Sequence, residues 1–263
     1  MRPRRRLDTE LVRRGLVATR SQAQELVAAG RVTVNGAHAD KAARMVGPAE
    51  AVVVLGPPPP FVSRGGLKLQ AALAHFALPV SGLACLDAGA STGGFTDCLL
   101  QAGAAQVWAV DVGHGQLDPS IRHHPRVTVR ERCNVRGLTP AELGGPVDLV
   151  VADLSFISLT TVASALVGCT REEGDLIVLV KPQFELGRRH VSAGRGVITD
   201  PVLWREALDA VAAALVAAGA PATAVVRSPI TGGAGNVEFL LHARRGGEGG
   251  TDGLAVALDA VVG

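Results

Sequence analysis

Residues 84–95 read Ala-Cys-Leu-Asp-Ala-Gly-Ala-Ser-Thr-Gly-Gly-Phe. The apolar run and the glycine-rich turn after it predict a buried strand, Ala84–Ala88, that leads into a helix. Glycine lets the backbone turn tightly and lets a ligand approach the main chain closely. The turn is not a G-x-G-x-x-G dinucleotide fingerprint, because Ser91 stands where the second glycine belongs. A Gly-Lys-Ser/Thr phosphate loop is also absent, and nucleotide binding of some other kind is left open as an alternative for this turn.

Six further apolar runs follow, and amphipathic stretches of helical periodicity separate several of them. This alternation predicts an α/β domain with a seven-stranded, mostly parallel sheet and helices on both faces. Ligands of such sheets bind beyond the carboxyl ends of the strands. The predicted strands after the first are Gln106–Asp111, Val127–Arg130, Asp148–Ala152, Asp175–Val180, Ala222–Ser228 and Asn236–Ala243.

Two acids stand at the ends of the first two strands. Asp111 follows Asp87 by 24 positions and can accept both ribose hydroxyls of an adenosine group, or can serve only as a helix N-cap. Asp87 either faces the ligand or braces the glycine turn. The sequence leaves both choices open.

Four more charged residues are candidates for chemistry. Asp153 and Lys181 end two apolar strands, Glu238 lies in the last strand, and Lys68 precedes an amphipathic stretch. A single charge at a strand end is usually solvated. Four such charges on core elements are harder to explain in that way, so we expect them to converge.

Charge divides the chain into two parts. Residues 1–60 carry a net charge of +5 and the remainder carries −3. A basic head indicates a polyanionic partner, although a solvated tail at Arg2–Arg6 explains part of the excess equally well.

The head has the pattern of a small α+β domain. It predicts a helix from Leu7 to Gly15, a second helix capped by Ser21, and a hairpin at Asn35-Gly36. Prolines 57–60 favour a stiff connector. The predicted bounds are residues 1–56 for the head with its basic extension, 57–63 for the linker and 64–263 for the body.

Composition excludes several classes of protein. Aromatic residues make up 3% of the chain and tyrosine is absent, which disfavours a broad aromatic platform. The four cysteines form no C-x-x-C pair, so we expect no metal site and buried thiols in a reducing compartment. No signal peptide and no apolar run near the ~20 residues of a membrane helix are found, so we expect a cytoplasmic protein without a membrane partner. The sequence does not indicate an oligomeric state.

The segment Asp87–Gly93, Asp-x-Gly-x-Ser-x-Gly, resembles motif I of S-adenosylmethionine-dependent methyltransferases. The set Lys68, Asp153, Lys181 and Glu238 resembles the Lys-Asp-Lys-Glu tetrad of FtsJ-like (RrmJ-type) ribose 2′-O-methyltransferases. The resemblance implies a Rossmann-like methyltransferase domain, with S-adenosylmethionine as the methyl donor and these four residues as the catalytic set.

The head segment Ser21–Gly36 resembles the S4 RNA-binding domain. With the motifs Ser-Arg-Gly-Gly-Leu-Lys, Asp-Val-Gly-His-Gly-Gln-Leu, Val-Ala-Asp-Leu-Ser-Phe-Ile-Ser-Leu, Val-Lys-Pro-Gln-Phe-Glu and Gly-Asn-Val-Glu, the whole chain resembles the hemolysin A (TlyA) family. That resemblance implies cytidine 2′-O-methylation of bacterial ribosomal RNA, with rRNA or ribosomal subunits as partners. The Arg2–Arg6 extension resembles the longer class, which modifies 16S and 23S rRNA and sensitises ribosomes to capreomycin-type antibiotics. The prolines of the linker depart from the family pattern.

The resemblance also implies binding residues. The cofactor set is Asp87, Gly89, Ala90, Ser91, Thr92, Gly93, Gly94, Phe95, Asp111, Val112, Asn134 and Asp153. The RNA set is Arg4, Arg6, Arg14, Arg20, Lys41, Arg64 and Arg136.

A ribose hydroxyl is a poor nucleophile near neutral pH, so the enzyme must align it with the methyl group and remove its proton. Lys181 is the candidate for the group that touches this hydroxyl. A neutral Lys181 can act as a base, and burial beside Lys68 favours that form. A charged Lys181, favoured by Asp153 and Glu238, can orient the oxygen instead. The sequence does not decide between them.

Other functions fit the sequence less well. Exocyclic amine methylation usually uses Asp/Asn-Pro-Pro-Tyr/Phe where this chain has Asp153-Leu-Ser-Phe, and cytosine C5 chemistry needs a cysteine there. An Arg-Leu-Asp motif of pseudouridine synthases occurs at Arg6–Asp8, but it lies inside the basic head, before any catalytic body, and is interpreted as a coincidence. A non-catalytic S4-containing RNA-binding or assembly factor that retains the methyltransferase fold is the main alternative, and a pore-forming haemolysin lacks a spanning segment.

Overall fold

The computed structural model describes residues 4–17, 19–57, 59–186, 197–232, 234–247 and 251–263. It separates into two compact units, residues 1–63 and 64–263. Arg2, part of the predicted basic extension, and Pro58 of the predicted linker lie outside the described residues. No helix of the described ranges is long and apolar enough to cross a membrane.

The first unit is a small α+β domain with two short sheets. Its apolar core is formed largely by the inward faces of the two helices and the central strand. One sheet pairs β1 with β4 antiparallel, and the other has the order β3-β2-β5. Its elements are β1 (Arg5–Arg6), α1 (Leu7–Arg13), α2 (Arg20–Ala28), β2 (Val32–Val34), β3 (Ala37–His38), β4 (Met45–Val46) and β5 (Val52–Val54).

One detail of this unit differs from the sequence prediction. The N-cap of α2 is Thr19, whose side chain accepts a hydrogen bond from the Gln22 amide, so the predicted cap at Ser21 was wrong. Arg5 and Arg6, for which a solvated tail was one of two open alternatives, pair with β4. The predicted hairpin at Asn35-Gly36 is confirmed, with positive φ at both residues as a type I′ turn requires.

The second unit is a seven-stranded sheet with the order β11-β12-β10-β9-β6-β7-β8. Every neighbouring pair is parallel except those of β12, which runs antiparallel to β10 and β11. Its strands are β6 (Ala84–Ala88), β7 (Gln106–Asp111), β8 (Val127–Glu131), β9 (Val147–Ala152), β10 (Thr170–Val180), β11 (Ala222–Arg227) and β12 (Phe239–Arg244). The predicted fold class is confirmed.

Helices connect the strands and cover the sheet. Because crossovers between parallel strands are right-handed, the helices after β6 and β9, which lead in opposite directions, lie on opposite faces. The described helices are α3 (Gly65–His75), α4 (Gly94–Gln101), α5 (Pro119–Arg122), α6 (Leu159–Cys169), α7 (Pro182–Glu185), α8 (Pro201–Ala217) and α9 (Thr251–Val262).

The order of the strands fixes where a ligand can bind. The chain runs outward from β6 to β8 and then returns to the other side of β6 as β9. The carboxyl ends of β6 and β9 therefore form the point at which the strand order reverses, and a crevice opens at such a point. Glycine 89 and Asp153 follow these two ends directly.

Candidate active site

The glycine turn after β6 is built for close contact between two strand ends. Gly89 has φ +88°, and a Cβ there would lie 2.6 Å from the carbonyl oxygen of Asp153. The amides of Gly89 and Ala90 donate to the carbonyl of Val110 on the neighbouring strand. Gly93, also at positive φ, is the N-cap of α4. Only glycine permits this conformation and this approach without strain.

Asp111 ties the second strand to the turn. Its carboxylate accepts the amide of Ser91 at 2.8 Å through Oδ2 and the amide of Gly113 at 2.6 Å through Oδ1. Each oxygen keeps a further lone pair, so the carboxylate can still accept a ribose hydroxyl. The hydrogen bonds fix its orientation towards the cavity that it lines.

Asp87 lies beneath the turn and is fully buried. The Thr96 hydroxyl donates to its Oδ2 at 2.6 Å, while Oδ1 is buried with no hydrogen-bond partner among the described residues. Burial raises its pKa to about 7, against the lowering effect of the Thr96 hydroxyl, and the charge of Asp153 adds to the rise. Of the two roles open for Asp87, this position favours that of a brace.

A cavity of about 570 Å³ opens at the carboxyl ends of the strands. Half of the predicted cofactor set lines it, namely Gly89, Ser91, Asp111, Val112, Asn134 and Asp153. The other half builds the turn and the start of α4 without lining the cavity: Asp87, Ala90, Thr92, Gly93, Gly94 and Phe95. Lining residues outside the predicted set are Gly113, Gln116, Val135, Leu154, Ser155, Phe156, Ile157 and Val162.

Lys181 and Asp153 form a nearly buried ion pair at the edge of this cavity. The Nζ of Lys181 lies 2.6 Å from Oδ1 of Asp153, and it also donates to the Ser155 hydroxyl at 2.9 Å. The side chains are 8% and 21% exposed, so water screens this pair only weakly. Both partners of Lys181 line the cavity.

Lys68 and Glu238 form a second buried pair. The Lys68 ammonium, on α3, donates to Oε2 of Glu238 at 2.5 Å, and the side chains are 11% and 3% exposed. A Cβ at Gly232 would lie 2.6 Å from Oε1 of Glu238, so that glycine makes room for the carboxylate. Each lysine thus has its own acid.

Strand register brings the two pairs to one edge of the sheet. Val180 of β10 pairs with Phe239 of β12, so Lys181 and Glu238 are the next residues along two neighbouring strands. Antiparallel neighbours of this kind are separated by only ~5 Å between Cα atoms. Asp153 ends the strand on the other side of β10. The register therefore brings Asp153, Lys181 and Glu238 to one edge of the sheet, and Lys68 bonds to Glu238.

Phe156 was not predicted as a site residue, yet its ring is the most exposed among the large apolar side chains of the described residues. It is 91% exposed, has φ +64°, and lines the cavity. Its ring lies 5.2 Å from that of Phe184, which in turn lies 5.7 Å from the Lys181 ammonium. The one sequence signal for it was a phenylalanine directly after Asp153-Leu-Ser in a chain poor in aromatic residues.

Glu185 fastens the Lys181 segment to the loop that carries Phe156. Its carboxylate accepts the Ser158 hydroxyl at 2.5 Å and the Leu159 amide at 3.0 Å, at the start of α6. Burial raises the pKa of Glu185, and these hydrogen bonds oppose the rise. The Lys181 segment is thereby held against a segment that lines the cavity.

Apart from Arg14, the residues of the predicted RNA set are exposed, and three of the exposed arginines also bind acids. Arg136, Arg64 and Lys41 lie on the surface. Arg4 bonds Glu50, and Arg6 and Arg20 both bond Asp8. Arg14 is 20% exposed and bonds Glu10 together with backbone carbonyls of the β4–β5 connection, so its guanidinium is largely committed to the fold.

None of the four cysteines, all described and free, lines the cavity. Burial raises the pKa of Cys85 and of Cys98 to about 12, so neither thiol is reactive near neutral pH. A cysteine nucleophile for cytosine C5 chemistry is therefore missing from this site.

Residues 61–245 match the FtsJ-like methyltransferase family, and residues 5–52 match the S4 domain. The chain is thus a methyltransferase of the FtsJ-like class that carries an S4 domain, and the class implies S-adenosylmethionine as the methyl donor. Along 93% of its length it is 53% identical to the 16S/23S rRNA (cytidine-2′-O)-methyltransferase TlyA of Mycobacterium tuberculosis, covering 91% of that protein. It is 37% identical to hemolysin A of Brachyspira hyodysenteriae, over 90% of this chain and 98% of that one. The chain belongs to the TlyA, or hemolysin A, family.

Solved structures agree with this assignment. A Streptococcus thermophilus protein described as a hemolysin is 38% identical and superposes with a TM-score of 0.79, covering all of this chain and 95% of that one. An S-adenosylmethionine-dependent methyltransferase of Mesorhizobium loti, 14% identical with a TM-score of 0.50 over 66% of this chain and 96% of its own, shares the fold.

Proposed function

We propose that the protein transfers the methyl group of S-adenosylmethionine to the 2′-oxygen of cytidine in ribosomal RNA. The observation that carries the proposal is the pair of buried ion pairs, Lys181–Asp153 and Lys68–Glu238, beside the cavity at the glycine turn. The relatives named for cytidine-2′-O-methylation of rRNA support the choice of substrate.

The composition of the chain supports a chemical role for these two lysines. The chain contains 26 lysines and arginines, of which only Lys41, Lys68 and Lys181 are lysines. Two of the three are therefore buried in the ion pairs beside the cavity. Arginine presents a planar fork of donors, whereas lysine is a compact ammonium with three rotatable donors that can direct one N–H at a single substrate oxygen. A merely structural ion pair has no need of lysine in a chain that otherwise uses arginine.

The cavity fits the methyl donor. Because Gly89 has no Cβ, the turn packs directly against the Asp153 carbonyl at the cavity wall. Asp111 directs a hydrogen-bonded carboxylate into the cavity for the ribose. Val112, 66% exposed after Asp111, offers an apolar surface to an adenine ring. Bound there, S-adenosylmethionine supplies a sulfonium-activated methyl group and a neutral leaving group.

Asp153 and Ser155 hold the Lys181 side chain in place, and in this proposal Lys181 orients the substrate. Its third N–H hydrogen would donate to the ribose 2′-oxygen and so orient that oxygen for methyl transfer. Asp153, which is open to the solvent of the cavity, would accept the hydroxyl proton, and the bound donor would supply the methyl group. The Lys68–Glu238 ion pair holds two further charges rigidly next to the Lys181–Asp153 pair. Alignment of this kind contributes ~7–11 kcal/mol in well-oriented systems.

Phe156 provides the surface for the target base. An exposed ring at the cavity wall, held by Phe184 in a backbone conformation that a bulky residue rarely adopts, can stack on a pyrimidine that leaves the RNA stack. The S4 unit then binds the surrounding RNA by its basic residues.

The test is a methyl-transfer assay with unmodified 16S and 23S rRNA and with the corresponding ribosomal subunits. After nuclease digestion, mass spectrometry separates 2′-O-methylcytidine from base-methylated cytidines. The proposal expects 2′-O-methylcytidine, from both rRNAs as the Mycobacterium relative's name indicates. Base methylation would contradict the 2′-oxygen as the target atom. No transfer with donor binding intact would favour the alternative of a non-catalytic RNA-binding factor. Sensitisation to capreomycin-type antibiotics stays a prediction.

A further inference from the structure

Helix α1 carries a charged residue, Asp8, that is fully buried. Asp8 is 0% exposed, although it lies in the first turn of a seven-residue helix in the small unit. Its carboxylate accepts the amide and hydroxyl of Thr9, the Gln24 amide at 3.1 Å, and guanidinium donors from Arg6 and Arg20. Hydrogen bonds from Arg6 hold its pKa well below the usual range despite burial, so Asp8 is charged at every pH of interest.

The two arginines reach Asp8 from different elements. Arg6 donates from Nε to Oδ1 and from Nη2 to Oδ2, and Arg20, the first residue of α2, donates from Nη2 to the same Oδ2. Because both Nη2 atoms lie within 3.0 Å of one oxygen, they are less than about 6 Å apart. Their side chains are still 45% and 57% exposed. Two guanidinium groups are thus fixed side by side on the surface by an acid beneath them.

We propose that Asp8 is a positioning residue for RNA binding, which holds Arg6 and Arg20 in the arrangement that contacts the RNA phosphates. Guanidinium forks match phosphate oxygens in a bidentate manner, and the gain is larger when the side chains are ordered before the RNA arrives. The trio carries a net charge of +1, so it attracts a polyanion in spite of the buried acid. The inference rests on the proposed function for the presence of an RNA partner.

Stability alone is a weak reason to keep this trio. Buried ion networks often contribute little net stability, because the charges lose their hydration. An apolar residue at position 8 would extend the core of α1, which Leu7 and Leu11 already build. A surface role explains why the buried acid and its exposed partners occur together.

The test is the Asp8→Asn variant, which keeps the size of the side chain and removes one negative charge, so that the net charge of the unit rises by one. Simple electrostatics predicts tighter RNA binding with a steeper salt dependence. The positioning role predicts the opposite, with the dissociation constant for transcribed 23S rRNA raised roughly three- to ten-fold and a salt slope shallower by about 1. Affinity or salt slope equal to the wild-type value, or greater, would overturn the inference.

Controls separate orientation from charge and from stability. Asp40→Asn makes the same charge change at an exposed acid of the same unit, and should leave binding unchanged or slightly tighter. Gln24→Met removes one donor to Asp8 but keeps both arginines, so RNA affinity should stay at the wild-type value. If Gln24→Met weakens binding as much as Asp8→Asn at the same loss of thermal stability, the effect follows stability and the inference fails.

The Arg20→Lys variant provides a second test of the inference if the Asp8→Asn variant does not fold. Lysine keeps the charge but loses the fork, so we expect the same loss of RNA affinity, and no further loss in an Asp8→Asn background where both fold. An Arg20→Lys protein that binds like the wild type contradicts the inference. Filter binding needs no methyl transfer. RNA binding without methylation would therefore end the proposed function and leave this inference intact.

Discussion

Burial decides what each carboxylate near the glycine turn can do. Asp153, 21% exposed and paired with Lys181, stays available to a substrate at the cavity wall. Asp87, two residues before the turn and fully buried, bonds only Thr96 among the described side chains and carries a raised pKa. The same residue type thus serves a reacting group in one place and the rigidity of the turn in the other.

The raised pKa of Asp87 predicts a pH dependence of stability. Its pKa is about 7 in the folded protein and ~3.9 in the unfolded chain, so between these values the folded state holds a proton that the unfolded state has released. This contribution to the free energy of unfolding is present below about pH 4 and is lost as the pH rises to about 7. Asp87→Asn removes this titration. The free energy of unfolding of the variant, measured with urea, should therefore increase relative to that of the wild type as the pH rises from 5 to 8. A difference that is constant over this window would contradict the assignment.

Phe156 gives a prediction for substrate binding. Its ring makes few contacts with the protein, so Phe156→Ala should fold normally and bind the methyl donor within a few-fold. Base stacking on aromatic rings contributes ~1–3 kcal/mol, so the KM for rRNA should rise about five- to a hundred-fold. Phe156→Trp should retain most of the activity. Equal kinetics of the alanine and wild-type proteins would remove the stacking role.

At the scale of elements, the strands were predictable and the loops were not. The runs Ala84–Ala88 and Gln106–Asp111 are apolar enough to require burial, and the structure has the same bounds. The exposure of Phe156 depends instead on the backbone at φ +64°, which the sequence pattern does not encode. The burial of Asp8 also escaped prediction, because a charged residue early in a basic head is usually solvated.

The turn after β6 gives the prediction at this scale. In Gly89→Ala the new Cβ would meet the Asp153 carbonyl at 2.6 Å, so the turn must shift and the affinity for S-adenosylmethionine should fall at least about ten-fold. Gly82→Ala is the matched control, with φ +81° but no atom within 4 Å of its Cβ. Calorimetric titration should show an affinity close to the wild-type value for the control. Equal losses in both variants would mean that backbone strain alone explains the effect.

At the scale of the molecule, each unit has its own apolar core. The core of the first unit lies within residues 7–52, and that of the second lies within residues 86–258. The difference in charge between the two parts of the chain follows the same division. We therefore assign donor binding to the second unit and RNA affinity largely to the first, and the domain bounds read from the sequence stay a prediction.

A truncated protein of residues 64–263 tests this division of labour. It should bind S-adenosylmethionine within a few-fold of the full chain, because every cavity-lining residue lies in the second unit. Methyl transfer to rRNA should fall at least about ten-fold, since the phosphate contacts of the basic unit are lost. Full activity of the truncated protein on rRNA would assign RNA binding to the second unit instead.

The most direct measurement compares Lys181→Ala with the wild type for 2′-O-methylcytidine formed in rRNA and, separately, for donor affinity. The account predicts that the modified nucleoside disappears from the digest, because the proposed mechanism places Lys181 on the reacting hydroxyl. Calorimetry should give a dissociation constant within a few-fold of the wild-type value, because Lys181 does not line the donor cavity. Formation of 2′-O-methylcytidine at the wild-type rate by the variant would contradict it.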